Sequence, residues 1–164
     1  GIIGKPNAGK STLLTKISKA NPKVAAYPFT TLHPVLGVLR HFDDELILAD
    51  IPGLIEGAHE GKGLGDQFLA HIERCKVLLH IIDCSEQNVY ESYLTIHNEL
   101  KKYDKKLVEK KELIALSKTD LASEDLKKVC VDLEKKTGIK PILFSNYSKE
   151  DLNKITIKLF KESK

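Results

Sequence analysis

The sequence predicts a three-layer α/β domain with a mostly parallel sheet of six strands and one antiparallel edge strand. Six apolar runs have the length and composition of strands, at residues 2–3, 35–39, 46–49, 77–82, 113–116 and 141–144. Between or after the later runs, apolar residues recur at helical spacing over residues 90–100, 126–133 and 152–159. Such alternation is typical of a parallel sheet covered by helices on both faces. The polar sequence HFDDE at 41–45 indicates a single antiparallel hairpin.

Length and composition indicate one soluble domain. The chain has 164 residues, of which 41% are hydrophobic, enough for one sizeable core and rather short for two. The net charge of +3 is too close to neutral to indicate a polyanionic partner by itself. The three cysteines lack metal-ligand spacing and no apolar run approaches the length of a membrane span, so we expect a cytoplasmic protein with free thiols. Because methionine is absent and the first residues resemble the end of a buried strand, we expect residues 1–164 to be one domain excised from a longer protein.

The first strand runs directly into the sequence GKPNAGKS at residues 4–11. This sequence matches the pattern G-x-x-x-x-G-K-[ST], a loop whose backbone N–H groups hold phosphates while its lysine reaches the terminal ones. The helical run at 12–20 follows, so bound phosphates would lie at a helix N-terminus. We assign Lys10 to the β- and γ-phosphates and the Ser11 hydroxyl to Mg²⁺. An ordinary glycine turn is the alternative.

Two irregular stretches adjoin the next two strands. Residues 21–34 contain three prolines and the sequence FTT at 29–31, a source of a threonine hydroxyl for Mg²⁺. Asp50 ends the strand LILAD at the carboxyl edge, where ligands of open α/β sheets bind, so we favour a metal role over a turn-forming one. The sequence DIPG at 50–53 has the D-x-x-G form, in which the Gly53 N–H contacts a γ-phosphate. The glycines behind it allow the chain to refold when that contact is lost.

The last two strands are followed by sequences that indicate a guanine base. SKTD at 117–120 has the form of the guanine-reading [NT]-K-x-D motif, with serine in its first position. Asp120 can accept hydrogen bonds from the guanine ring N–H and exocyclic amine, whereas adenine presents the wrong pattern, and Lys118 would lie along the base. FSN at 144–146 matches the loop whose backbone N–H contacts the guanine carbonyl. A solvated KTD turn is the alternative for this motif alone.

Four sequences together resemble the G domain of the bacterial Obg GTPases, over nearly all of the chain: GKPNAGKST, YPFTTLHPVLGVL, DIPGLIEGAHEGKGLGDQFLAHIERC and SKTD. The resemblance implies a Ras-like P-loop NTPase fold, slow Mg²⁺-dependent GTP hydrolysis and work in assembly of the large ribosomal subunit, in contact with ribosomal RNA and proteins. It also implies links to the alarmone ppGpp, and so to growth and stress control. An N-terminal glycine-rich domain, absent here, belongs to the same pattern.

The resemblance, carried over by position, also implies the site residues. The nucleotide-binding residues are Gly4, Lys5, Pro6, Asn7, Ala8, Gly9, Lys10, Ser11, Thr12, Phe29, Thr30, Thr31, Leu32, His33, Asp50, Ile51, Pro52, Gly53, Ser117, Lys118, Thr119, Asp120, Ser145, Asn146 and Tyr147. The metal ligands are Ser11, Thr31 and Asp50, and the catalytic residues are Asn7, Lys10, Thr31 and Gly53. Ser117 stands where asparagine or threonine is usual, so we expect a looser base pocket, a looser brace to the P-loop and weaker nucleotide affinity.

The sequence predicts slow turnover. Leu54 occupies the position of the water-orienting glutamine of Ras-like enzymes, and no arginine is an obvious finger, so we expect about 10⁻⁴ to 10⁻² s⁻¹. Asn7 matches the asparagine that binds K⁺ in related GTPases. The K⁺ ion would then take the place of the charge of an arginine finger. The alternative for Asn7 is a loop asparagine that caps its own turn.

The amino-acid sequence by itself is compatible with two rival functions. The chain could be a scaffold that holds GTP or GDP with negligible hydrolysis. It could also be a P-loop small-molecule kinase, against which SKTD and DIPG argue. The lysine-rich sequence at 101–111 likewise has two interpretations, a solvated helix end or a contact surface for RNA.

Overall fold

A computed structural model describes residues 1–19, 21–25, 33–51, 72–103, 105–122 and 125–164 of the chain. The strands in these residues are β1 (Ile2–Ile3), β2 (Lys23–Val24), β3 (Val35–His41), β4 (Asp44–Asp50), β5 (Val77–Asp83), β6 (Lys111–Ser117) and β7 (Ile142–Leu143). The α-helices that they contain in full are α1 (Lys10–Ile17), α2 (Val89–Tyr103), α3 (Leu126–Thr137) and α4 (Lys149–Ser163).

The described strands form one sheet in the order β2-β3-β4-β1-β5-β6-β7. The pairs from β4 to β7 are parallel, whereas β3 pairs in antiparallel fashion with both β2 and β4. The predicted fold class, a mostly parallel α/β sheet, is therefore confirmed. The sheet has one strand more than predicted, because β2 is only two residues long and exposed and so carries no apolar run. The antiparallel strand β3 consequently lies one place in from the edge.

Two of the helices, α3 and α4, begin at residues whose side chains cap the first turn. Asp125 accepts a hydrogen bond from the Lys127 N–H at the start of α3, and Ser148 accepts one from the Asp151 N–H at the start of α4. Gly138 ends α3 with φ 75°, a conformation that glycine adopts without strain. The helix predicted at 12–20 is shorter in the structure, since the backbone at Ser18 is already extended.

Hydrophobic residues pack on both faces of the sheet, which gives the predicted three layers. On one face, α1 and α4 cover a cluster that includes Ile2, Leu13, Leu39, Leu79, Phe144 and Ile155. On the other face, α2 and α3 cover clusters that include Ile3, Leu78, Ile96, Ile82, Ile114 and Leu133. Every residue of β5 is buried, as expected for a strand covered on both sides.

The parallel strands bring their carboxyl ends to one edge of the sheet. Ile2 of β1 pairs with Asp50 of β4, and Asp83 of β5 pairs with Ser117 of β6, so these strand ends meet at the loop after β1. Ligands of open α/β sheets bind at such an edge. No helix within the described ranges is long and apolar enough to cross a membrane.

Candidate functional site

The loop at residues 4–11 has a backbone that only particular residues can adopt. Gly4 and Gly9 have φ values of 147° and 98°, and Asn7 has a φ of 62°. A Cβ atom on Gly4 would lie 2.2 Å from the carbonyl oxygen of Ile81, so no larger residue fits there. Asparagine is among the few other residues that enter the left-handed region readily. The sequence therefore fixes the shape of this loop.

Lys10 extends from the first turn of α1 back across the loop. Its Nζ donates hydrogen bonds to the carbonyl oxygens of Gly4 at 2.9 Å and Lys5 at 2.7 Å. Burial lowers the pKa of Lys10 below its usual value, and the charge of Asp50 opposes this only in part. A partly desolvated ammonium attracts an anion more strongly than a solvated one does.

Ser11 and Asp50 bring two side-chain oxygen atoms together beside this ammonium. The Ser11 hydroxyl donates to Asp50 Oδ2 at 2.5 Å, and the Asp50 residue is 6% exposed at the end of β4. A hydroxyl and a carboxylate are ligands that suit Mg²⁺, which commonly takes few protein ligands and completes its shell with water and substrate phosphates. The described part of the chain contains no cluster of three His, Cys, Asp or Glu that could hold a metal alone. These two residues therefore fit a metal that binds together with phosphate.

Ser117 braces the phosphate loop from the end of β6. Its hydroxyl donates to the carbonyl oxygen of Ala8 at 2.6 Å and also lies 3.2 Å from that of Ile82, and the residue is fully buried. The hydroxyl reaches the loop because β6 ends close to it. Whether this brace is looser than one made by asparagine or threonine stays a prediction. The effect of Ser117 on nucleotide affinity stays a prediction.

Lys118 and Asp120 are held by partners on neighbouring loops. Lys118 has a left-handed backbone, with φ 60°, and its Nζ lies 2.6 Å from Asp83 Oδ2. The Ser145 hydroxyl donates to Asp120 Oδ1 at 2.6 Å, and the Tyr147 N–H donates in turn to the Ser145 hydroxyl at 3.2 Å. The two sequences predicted to read the base are thus joined to each other by hydrogen bonds.

Asp83 illustrates how two effects compete at a strand end. Burial by itself would raise the pKa of Asp83, but hydrogen bonds from Lys118 and from the Ser85 hydroxyl and N–H outweigh it and lower the pKa below its usual value. Asp83 is therefore ionised at neutral pH.

Asn146 connects the base side of the site to the phosphate side. Its Nδ2 donates to the carbonyl oxygen of Gly9 at 3.3 Å, while its buried Oδ1 has no hydrogen-bond partner in the structure as described. Tyr147 is 81% exposed, and the Lys16 ammonium lies 5.1 Å from the centre of its ring. Neither contact is visible in the sequence, because each joins residues far apart along the chain.

A cleft of about 390 Å³ separates the phosphate loop from the base-side residues. Its lining comprises Asn7, Gly9, Lys10, Ser11, Thr12, Lys118, Asp120, Leu121, Asn146 and Tyr147. Nine of these ten residues are among those predicted from the sequence. Leu121 was not predicted, because its place in the cleft depends on the short 3₁₀ turn over Thr119–Leu121.

Two predicted side chains are placed away from the cleft, and other predicted residues lie outside the described part. Ile51 is 2% exposed and packs in the core with its N–H bonded to the Ile2 carbonyl, so its side chain does not line the cleft. The side chain of Lys5 contacts Glu86. Outside the described residues lie Phe29, Thr30, Thr31, Leu32, Pro52, Gly53 and Leu54.

Comparisons with known proteins find relatives along the whole chain. The family described as 50S ribosome-binding GTPase matches residues 1–118. A Pelagibacter ubique (strain HTCC1062) protein named GTPase Obg is 51% identical over 160 residues, which are 97% of this chain and 49% of the relative. The chain therefore spans about half the length of this curated relative.

The solved structures that share the fold include two FeoB domains. The G domain of the T. maritima FeoB iron transporter has a TM-score of 0.72 at 21% identity, covering 99% of this chain and 96% of that one. The cytosolic domain of L. pneumophila FeoB has a TM-score of 0.71 at 19% identity, covering 98% and 62%. At these identities the likeness concerns the fold alone.

Proposed function

Because this chain belongs to the 50S ribosome-binding GTPases, and among them to the Obg family, we propose that it binds GTP and hydrolyses it slowly as a molecular switch. The observation that carries this proposal is the single cleft with the Lys10 ammonium on one side and the Asp120 carboxylate on the other. A guanosine polyphosphate presents the complementary groups, since its phosphates are anionic and its base has two adjacent N–H donors. The loop at 4–11 and the N-terminus of α1 would hold the phosphates.

Ser11 and Asp50 would hold Mg²⁺, with Thr31 as a further ligand by resemblance. When bound, Mg²⁺ neutralises charge on the β- and γ-phosphate oxygens. The chain's own contribution is to keep a hydroxyl and a carboxylate 2.5 Å apart at the mouth of the loop. Residues 29–33 and 50–53 are proposed as the two segments that respond to the γ-phosphate, with Thr31 and Gly53 making the contact.

Hydrolysis would be slow because Leu54 cannot orient a water molecule, and we expect about 10⁻⁴ to 10⁻² s⁻¹. Among the described residues the Asn7 side chain makes no hydrogen bond, which favours a cation-binding role of its amide oxygen over capping of its own turn. We therefore propose that K⁺ bound at Asn7 accelerates hydrolysis. Replacing K⁺ by Na⁺ in the assay should lower the rate, and equal rates would remove this part of the proposal.

Phosphate release from GTP with Mg²⁺ tests the proposal directly. The purified chain should release phosphate from GTP at the slow rate above, and excess ATP should not compete. Absence of measurable affinity for GTP or GDP with Mg²⁺ present would refute the proposal. Tight GTP binding with no release, even with large ribosomal subunits added, would support the scaffold function instead.

We also propose the large ribosomal subunit, through its RNA and proteins, as the partner of the full protein in the cytoplasm. Family membership supports this partner, and so does a lysine-rich surface at the end of α2. It comprises Lys101, Lys102, Lys105, Lys106, Lys110 and Lys111. Within the described ranges, Lys101 and Lys105 form no ion pair, whereas Lys102 pairs with Glu99 and Lys111 with Glu162. Unpaired exposed lysines are available to phosphates of RNA.

Cosedimentation with large subunits at several salt concentrations tests this partner. The double variant Lys101→Gln/Lys105→Gln should bind more weakly, and its slope of log affinity against log salt should be shallower by roughly 1.4 to 1.8. The variant Lys127→Gln/Lys135→Gln removes the same charge from exposed positions on α3 and is the matched control. Equal loss in both variants would argue against this surface. ppGpp is proposed as a further ligand of the same cleft, and it should displace GDP competitively.

A further inference from the structure

The turn between β5 and α2, residues 83–86, carries two carboxylates that bind lysines from opposite sides of the cleft. Asp83 Oδ2 lies 2.6 Å from the Nζ of Lys118, and Glu86 Oε2 lies 3.0 Å from the Nζ of Lys5. The Glu86 N–H donates to the Asp83 carbonyl at 3.3 Å, so the two residues belong to one hydrogen-bonded turn. Lys118 comes from the base side and Lys5 from the phosphate loop.

The Lys5 ammonium, the Glu86 carboxylate and the Ser92 hydroxyl are hydrogen-bonded to one another. The Lys5 Nζ also donates to the Ser92 hydroxyl at 3.1 Å, and this hydroxyl donates to Glu86 Oε2. Ser92 is buried, while the side chains of Lys5 and Glu86 are about one third exposed. The main-chain carbonyl of Lys5 accepts a hydrogen bond from the Lys10 Nζ at 2.7 Å. The anchor on the Lys5 side chain therefore fixes an oxygen atom that contacts the phosphate-binding lysine.

Asp83 holds Lys118 in a similar way. The Ser85 N–H and hydroxyl donate to Asp83 Oδ1 at 2.9 and 2.7 Å, which leaves Oδ2 for the ammonium of Lys118. Lys118 has a left-handed backbone, and Asp120 follows two residues later. A fixed Lys118 thus helps to set where the base-side carboxylate lies.

We propose that residues 83–86, the coupling turn, position both ends of the nucleotide site, with Glu86 acting on the phosphates through Lys5 and Asp83 acting on the base through Lys118. This inference rests on the proposed guanine-nucleotide binding. Asp83 and Glu86 are positioning residues, because their contacts in the structure are to protein side chains of the site. The turn makes the two ends of the cleft parts of one hydrogen-bonded unit.

The two carboxylates predict different effects on nucleotide affinity, which can be measured with GDP and with IDP, whose base lacks the exocyclic amine. Glu86→Gln should lower the affinities for GDP and for IDP by on the order of tenfold, since a charge-assisted hydrogen bond to Lys5 is lost. The ratio of the GDP affinity to the IDP affinity should stay unchanged. Asp83→Asn should reduce that ratio severalfold. Lys5→Met should reproduce Glu86→Gln, and Lys5→Arg should restore most of the affinity.

Glu91→Gln is the matched control, since Glu91 is exposed in the first turn of α2 and forms no ion pair among the described residues. It should change neither affinity nor ratio. Thermal unfolding without nucleotide checks that each variant folds, and Lys5→Met replaces Glu86→Gln if the latter does not. Two results would overturn the inference. One is an unchanged GDP affinity in both Glu86→Gln and Lys5→Met, and the other is an equal change of the GDP-to-IDP affinity ratio in Glu86→Gln and Asp83→Asn. Failure of the wild-type chain to bind GDP would instead refute the proposed function.

Discussion

Replacing Ser117 by alanine removes the hydroxyl that bonds the end of β6 to the phosphate loop. The acceptor, the Ala8 carbonyl oxygen 2.6 Å away, belongs to a residue that is 1% exposed, so water cannot readily take the place of the hydroxyl. Leaving a buried acceptor without its partner costs about 1 to 3 kcal/mol of folding free energy. For a chain of this size each kcal/mol lowers the melting temperature by about 2 to 4 °C, so we expect a decrease of roughly 2 to 12 °C.

Denaturant unfolding with and without saturating GDP measures the effect of Ser117→Ala on stability and on GDP affinity. The free energy of unfolding without ligand reports the loss of the brace, and the increment that GDP adds reports its affinity. We expect that increment to shrink in Ser117→Ala, since the loop is less firmly held. Ser163→Ala, which removes a hydroxyl from the end of α4 far from the cleft, is the control. A Ser117→Ala protein within about 0.5 kcal/mol of wild type, the range of ordinary surface substitutions, would refute this reasoning.

Three further predictions concern side chains of the candidate site. Asp50→Asn should reduce the Mg²⁺-dependent part of GTP affinity at least tenfold, because a neutral amide is a poorer magnesium ligand than a carboxylate. GTP titrations with Mg²⁺ and with EDTA measure this part, and the same affinity difference as in wild type would contradict the prediction. Asp120→Asn should weaken GDP and strengthen XDP binding, since an amide can donate to the xanthine 2-carbonyl; a competition assay in which GDP still wins speaks against the assignment. Burial lowers the pKa of Lys10 below 10.5, so between the folded-state and the unfolded-state pKa the unfolded chain binds more protons than the folded one. The free energy of unfolding of wild type relative to Lys10→Met, measured without nucleotide, should therefore rise with pH in this range. A difference between the two proteins that does not change with pH is the contrary result.

The sequence was informative where structure depends on neighbours along the chain. The shape of the loop at 4–11 was predictable because its glycines lie within eight residues. The strand β5 was predictable because residues 77–82 form an apolar run. β2 could not be predicted, since two exposed residues form a strand only through pairing with β3. The contact of the Ser117 hydroxyl with the Ala8 carbonyl oxygen could not be predicted, because it depends on how closely β6 approaches the loop.

Contacts between distant residues were also out of reach. The pairing of Lys118 with Asp83 and of Lys5 with Glu86 follows from the order of strands in the sheet, which brings separate loops to one edge. Motif spacing identified the lysines but carried no information about their partners. The predicted roles of Thr31 and Gly53 concern residues outside the described ranges and stay predictions.

The Lys10 ammonium has three N–H groups, and two of them are already committed to the carbonyls of Gly4 and Lys5. A long side chain tied down in this way has surrendered its rotational freedom during folding, which for a free lysine amounts to about 1.5 to 2 kcal/mol. Capturing an anion then requires little additional ordering of this side chain. In the proposed complex, most of the entropy loss of this side chain would therefore occur on folding and not on binding of the terminal phosphates.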